Sequence, residues 1–161
     1  MARDDPPLRE KLGALCIETV IANRKALADV LNQLPFDSLP SIVIDTVDLG
    51  PRLPNVACVY FLTHPDQGLL YVGRAVALSQ RFEVPKNIYQ QRMWDLAHAW
   101  LYPCYRLGNV RLSWWTIPSD FIEEVESAAI KILHPRLNER GRASLRDREL
   151  TERLQDLVRG N

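Results

Sequence analysis

The chain has 161 residues, 47% of them hydrophobic, with 20 Lys plus Arg balanced by 20 Asp plus Glu. That length suits one domain with a real core, and no apolar run approaches the ~20 residues that a membrane-spanning helix needs. Zero net charge excludes a powerful non-specific binder of polyanions, because duplex affinity comes largely from Lys and Arg replacing counterions at phosphates.

From the N-terminus, Leu8 to Leu34 reads as an amphipathic helix, with Leu12, Cys16, Val20, Leu27, Val30, Leu31 and Leu34 on one side and Pro35 ending it. Ser41 to Val47 alternates like an edge strand before a Pro-rich link, Pro51 to Pro54. Residues 1–53 therefore form an N-terminal helix and extended arm. The arm is expected to pack on the layer that follows, or alternatively to serve homodimer or protein-partner contact. Charge differs mildly along the chain, with eight acids against six bases in residues 1–52 and twelve against fourteen in 53–161.

Next come two strand-like runs, Cys58-Val59-Tyr60 and Leu69-Leu70-Tyr71-Val72, joined by the turn cluster Thr63 to Gly68. A turn near Pro65-Asp66 would set Tyr60 opposite Tyr71 on the same sheet face. Leu78, Arg81 and Phe82 follow at helical spacing, so Arg81 can point back toward that face. Two phenols and a guanidinium on one patch suit a phosphate. Pro85 opens a helix of about 16 residues, judged by helical periodicity. Val110 to Ile117 reads as a third strand, and Asp120 to Leu133 as a helix whose Asp120 and Glu123 resemble a capping box. Ser144 to Val158 is a final charged helix within residues 139–161. The expected fold is α/β of the α+β type, with a small three-stranded, mainly antiparallel sheet flanked by helices.

On a helical wheel, Phe121, Val125, Ala129, Ile132 and Leu133 define the buried arc of the Asp120–Leu133 helix. Glu126 projects just past its border, at the seam between core and solvent. Glu123, Glu124 and Lys131 point away. A lone carboxylate with no His or Cys cluster favours a hard cation, Mg²⁺ or Mn²⁺, mostly hydrated and completed by substrate oxygens; an ordinary boundary Glu paired with an Arg is the alternative. Trp94, Trp100, Trp114 and Trp115 are candidates for base stacking, with core filling favoured for Trp100 and one of the 114/115 pair. Arg140, Arg142, Arg146 and Arg148 could track a strand backbone, or belong to a salt-bridged helix face with Asp147 and Glu149. His98 reads as a solvated residue.

Cys58-Val59-Tyr60, Tyr71-Val72-Gly73, Glu126 and Pro135-Arg136-Leu137-Asn138, in that order, resemble the motifs of the GIY-YIG nuclease family. Residues 54–138 carry the resemblance, and the spacing is most similar to the nuclease domain of bacterial excision-repair incision subunits. The resemblance implies a divalent-metal-dependent endonuclease that hydrolyses DNA phosphodiester bonds with a single ion. It implies Tyr71 as general base, Tyr60 as its assistant, Arg81 as phosphate clamp, Glu126 as the metal ligand and Asn138 as the residue that holds the strands. A free phenol titrates near 10, so neighbouring cations would have to help Tyr71 at neutral pH. Arg74, Arg81, Arg136 and Arg140 are the expected substrate contacts. Arg74 stands where the resembled enzymes have Lys, and Cys58 where they have Gly. A nucleic-acid- or partner-binding module in which chemistry has lapsed is the alternative. Cys16, Cys58 and Cys104 are too few and too scattered for a disulfide frame. With an N-terminal sequence lacking a signal-type apolar core, they give a cytoplasmic expectation.

Overall fold

The computed structural model describes residues 24–34, 36–46, 48–83, 101–138 and 147–160. In chain order these form helix α1 (Arg24–Asn32), a 3-10 turn (Phe36–Ser38), strand β1 (Ser41–Val43) and a second 3-10 turn (Gly50–Arg52). Strands β2 (Cys58–His64) and β3 (Gly68–Ala75) come next, with the short helix α2 (Leu78–Arg81). Helix α3 (Leu101–Leu107), strand β4 (Arg111–Thr116), a third 3-10 turn (Ser119–Phe121), and helices α4 (Ile122–Leu133) and α5 (Asp147–Arg159) complete the order. The expected helices over residues 8–23 and 85–100 lie outside the described residues, as do Cys16, Trp94, His98, Trp100, Arg140, Arg142 and Arg146. Among the described residues no helix is long and apolar enough to cross a membrane.

The sheet is antiparallel with order β1-β4-β2-β3. It has four strands where three were expected. The fourth is β1, which pairs with β4 through Ser41↔Ser113, Ile42↔Leu112 and Val43↔Arg111. This edge strand is shorter than the alternating run Ser41–Val47, because the Asp45 N–H turns back onto the Val43 carbonyl at 3.0 Å and ends the ladder.

The hairpin register also differs from expectation. Tyr60 lies opposite Gly73, and Leu62 opposite Tyr71. Two local features move the pairing by one residue each: a three-residue turn, and an irregularity at Leu62/Thr63 that leaves Leu70 as the extra residue. A shift of two is one full strand period, so Tyr60 and Tyr71 still share a face. Gly68 leaves the turn at φ +73°, a conformation that costs glycine nothing.

Helices cover both faces. Tyr60, Leu62, Tyr71 and Trp114 pack with Leu78, Phe82, Cys104 and Leu154, which places α2, α3 and α5 on one side. Val59, Phe61, Val72 and Trp115 pack with Leu27 and Leu31 of α1 and with Ile122, Val125, Ala129 and Ile130 of α4 on the other. Trp114 and Trp115 are therefore both buried, one in each layer, and neither offers a face to a base. The apolar face of α1 is spent on this packing.

Helix α4 begins at Ile122 after a 3-10 turn, and no side-chain cap bond forms at either start, so the Asp120–Glu123 capping box is not made. It ends at His134, which takes the left-handed conformation (φ 49°) and donates its N–H to the Ile130 carbonyl at 3.3 Å. The chain then turns along the outer edge of β3. Arg136 and Leu137 donate backbone N–H bonds to the Leu69 and Leu70 carbonyls at 3.2 and 2.8 Å. An edge that would otherwise stay open is closed this way.

Candidate active site

The phenols meet on the α2–α3–α5 side. The Tyr60 and Tyr71 ring centroids are 6.3 Å apart, and Tyr60 also packs edge-on against Phe82 at 5.7 Å. Both tyrosines are buried. Gly73 makes room for them: a Cβ there would stand 2.5 Å from Tyr60 Oη, so the ring can lie over β3 only because position 73 has no side chain. Arg81 closes α2 and is half-buried beside Phe82, which is fully buried in the same cluster. Cys58 occupies the first motif position with its thiol in the core, and burial pushes that thiol up to about 12. An inert packing group is the result.

The ionic pair lies on the opposite face. Arg74 projects from β3 across from Val59, under the side where α4 packs. Its Nη1 is 3.2 Å from Glu126 Oε2 and 3.6 Å from Glu123 Oε1. The Glu126 side chain is 1% exposed, against 38% for Arg74. It does not stand at the border of the apolar arc as expected but within it. The buried stripe of α4 runs Ile122, Val125, Glu126, Ala129, Ile130, while Ile132 and Leu133 are only half-buried. Burial pushes the Glu126 carboxyl from 4.5 up to about 7, with Arg74 opposing the rise and Glu123 adding to it. Oε2 is sealed from water yet makes no hydrogen bond, and neither does Arg74 Nη1. The pair attracts by charge without the geometry that would satisfy both groups.

Asn138 ties this arrangement to the hairpin. Its Oδ1 accepts from the Val72 N–H at 2.9 Å, and its Nδ2 donates to the Val72 carbonyl at 3.0 Å. Val72 sits between Tyr71 and Gly73, so one side chain fixes the strand that carries Tyr71, Gly73 and Arg74. Arg136 is exposed and donates to Gln67 Oε1 near the hairpin turn, away from Arg74. The structure thus joins Tyr60 with Tyr71, Arg74 with Glu126, and Asn138 with Val72. Alternation projects the phenols and the Arg74 guanidinium from opposite faces of one edge strand.

A divalent cation can be weighed against these donors. The carboxylate is a hard oxygen ligand, and its buried oxygen lacks a hydrogen-bond donor. Among the described residues no group of three or more His, Cys, Asp or Glu gathers to cage a metal. One carboxylate would leave such an ion to be completed by water and substrate oxygens, the usual manner of Mg²⁺. Glu126, however, is 1% exposed with Oε2 sealed from water, so the open side that a hydrated ion needs is absent while Arg74 holds that place. Arg74 and such an ion are alternative partners for the same oxygen.

Comparison of the chain with family models, curated proteins and solved structures finds no match. The alternative reading of Glu126, a Glu paired with an Arg, is what the structure shows; what sequence reasoning missed is that the partner is Arg74. The signal was present in Arg74 at the end of a strand that α4 was bound to cover, but no periodicity relates positions 52 residues apart.

Proposed function

We propose that the chain is a divalent-metal-dependent endonuclease that hydrolyses DNA phosphodiester bonds. One observation carries the reading: a sealed carboxylate with an unbonded oxygen faces Arg74 on the very strand that Asn138 clamps and that bears Tyr71. Stability alone gives little reason to keep a carboxylate there, since a well-packed apolar residue would serve as well or better. Perturbed, incompletely satisfied ionisable groups gather at functional sites.

Within this reading Glu126 holds one Mg²⁺ or Mn²⁺, which supplies polarisation of the scissile phosphate and charge neutralisation at the leaving oxygen. Tyr71 takes the proton of the attacking water and Tyr60 orients that water. Both are buried and lie on the sheet face opposite Glu126, so the reading requires the scissile phosphate to sit at the edge of the strand where the two faces meet. Arg81 binds a non-bridging oxygen through its fork of donors. Arg74 and Arg136 contact the backbone of the bound strand, and Arg140, which lies outside the described residues, is assigned the same role by the resemblance alone. Asn138 acts through Val72, keeping the Tyr71 strand in register. Zero net charge limits grip on intact duplex, so the reading calls for a distorted or single-stranded site, a dimer, or a partner that supplies the grip.

A second reading, a binding module without turnover, draws on one specific feature: Arg74 already neutralises Glu126, as a purely structural ion pair would. Plasmid nicking with Mg²⁺ or Mn²⁺ separates them. Nicking lost in both Glu126→Gln and Tyr71→Phe supports the enzyme. Unaltered protein that binds DNA without any nicking supports the module.

A further inference from the structure

The residues Val43, Arg111, Thr63 and Leu69 form one row across all four strands, on the face that α1 and α4 cover. Near this end of the sheet the row floors an open-sided cavity of about 500 Å³, walled by Phe36 and Asp37 of the first 3-10 turn, by His64 and Pro65 of the hairpin turn, and by Asn109. Leu69 lies five residues before Arg74 on β3, so this cavity is about 17 Å from the Arg74–Glu126 pair. Nothing in the cleavage chemistry uses it.

The cavity has a volume typical of small-molecule sites and the mixture of groups they use. Arg111 bonds only the neutral Ser41 Oγ, at 2.8 Å, and no carboxylate among the described residues pairs with it. Asp37 is exposed and likewise has no basic partner among them. Two opposite charges line one cavity without meeting, and among the described residues neither has an ionic partner that would compete with a ligand. His64 Nδ1 accepts from the backbone N–H groups of Asp66 and Gln67 at 3.1 and 3.2 Å, so the ring is held in place with its hydrogen on Nε2. Phe36 is braced edge-on against Phe61 at 5.1 Å. Asn109 keeps a left-handed backbone (φ 56°) at the wall, a conformation that side chains other than glycine adopt at a cost. His64 and Phe36 are thus braced by neighbours of their own chain.

We propose that this cavity binds a nucleotide unit, with the phosphate on Arg111, the base against Phe36 and Leu69, and an amino-bearing base edge on Asp37. A flat ring matches the apolar walls. A guanidinium takes phosphate through paired donors, and a carboxylate accepts from an exocyclic amino group such as that of cytosine. The inference goes beyond the cleavage reading and does not depend on it.

A ¹H–¹⁵N NMR titration of the full chain with CMP, UMP and inorganic phosphate tests it. CMP is expected to shift the Thr63, His64, Asn109 and Arg111 amides and to bind more tightly than UMP or phosphate. Asp37→Asn should remove the preference for CMP over UMP. Arg111→Ala should weaken CMP by about tenfold and Arg111→Lys by less; Arg111 is exposed, so neither change threatens the fold. Glu126→Gln should leave the binding intact, which separates this site from the cleavage site. A trinucleotide centred on dC that binds more tightly than CMP assigns the cavity to a strand, and the reverse order assigns it to a free nucleotide. No shifts at these amides up to about 10 mM, or phosphate alone matching CMP, would overturn the proposal.

Discussion

The two faces of the β2–β3 hairpin bury polar groups in opposite ways. On one, Tyr60 and Tyr71 lie among Phe82, Leu62 and Trp114, and each brings a large apolar ring to cover the cost of its hydroxyl. On the other, Glu126 and Arg74 bring charge into a layer of Val59, Val72 and Val125. Burial that suits a phenol penalises a carboxylate. Where a fold keeps the penalised group, stability does not explain it, and the Glu126 side of the strand is where chemistry should be sought.

Four perturbations break or sharpen this contrast. The largest effect is expected from Asn138→Ala, which would leave the Val72 N–H and carbonyl without partners at a buried edge. It should cost about 3–4 kcal/mol in urea unfolding and disturb both faces at once. Gly73→Ala acts on the phenol face alone. A Cβ there would press on the buried Tyr60 ring, and a loss of about 2–3 kcal/mol is expected, with Tyr60→Phe restoring little of it because the ring carbons Cζ and Cε2 are in the way as well as the hydroxyl.

The third concerns pH. Glu126 has its carboxyl raised in the folded state, from 4.5 to about 7, so the folded chain binds a proton that the unfolded chain has released. Its contribution is fully present below about 4.5 and is lost as pH rises through 7. Stability should fall by up to about 3 kcal/mol between pH 4.5 and 8, and Glu126→Gln should flatten that slope. The same slope in the Gln variant would mean that another group causes it. The smallest effect belongs to Glu123→Gln. That exposed acid is 3.6 Å from Arg74 and raises the Glu126 titration, so its removal should lower the Glu126 midpoint while changing stability by well under about 1 kcal/mol.

Much of this architecture was legible in the sequence, for reasons that particular residues show. Alternation at 58–62 and 69–72 placed the hairpin and the common face of Tyr60 and Tyr71, since period two survives a slip of two. The register did not follow, because turn length and the extra residue at Leu70 are set by local backbone geometry that composition does not encode. The short β1 was visible as an alternating edge, but its pairing with β4 makes four strands, and a long-range ladder leaves no mark on a three-residue segment. Glu126 stood out as an acid near an apolar arc. Its depth did not, because a helical wheel does not reveal how far the sheet and α1 wrap around α4. The Arg74 partnership and the cavity at Arg111 arise only when distant segments meet.

The most direct test is paramagnetic broadening of backbone amides by Mn²⁺ added to the unaltered chain and to Glu126→Gln. Selective broadening of Gly73, Arg74 and Glu126 in the unaltered chain, absent in the Gln variant, is the expected result. Equal broadening in both, or none at that corner of the sheet, would contradict the assignment of Glu126 as the metal ligand of a nuclease.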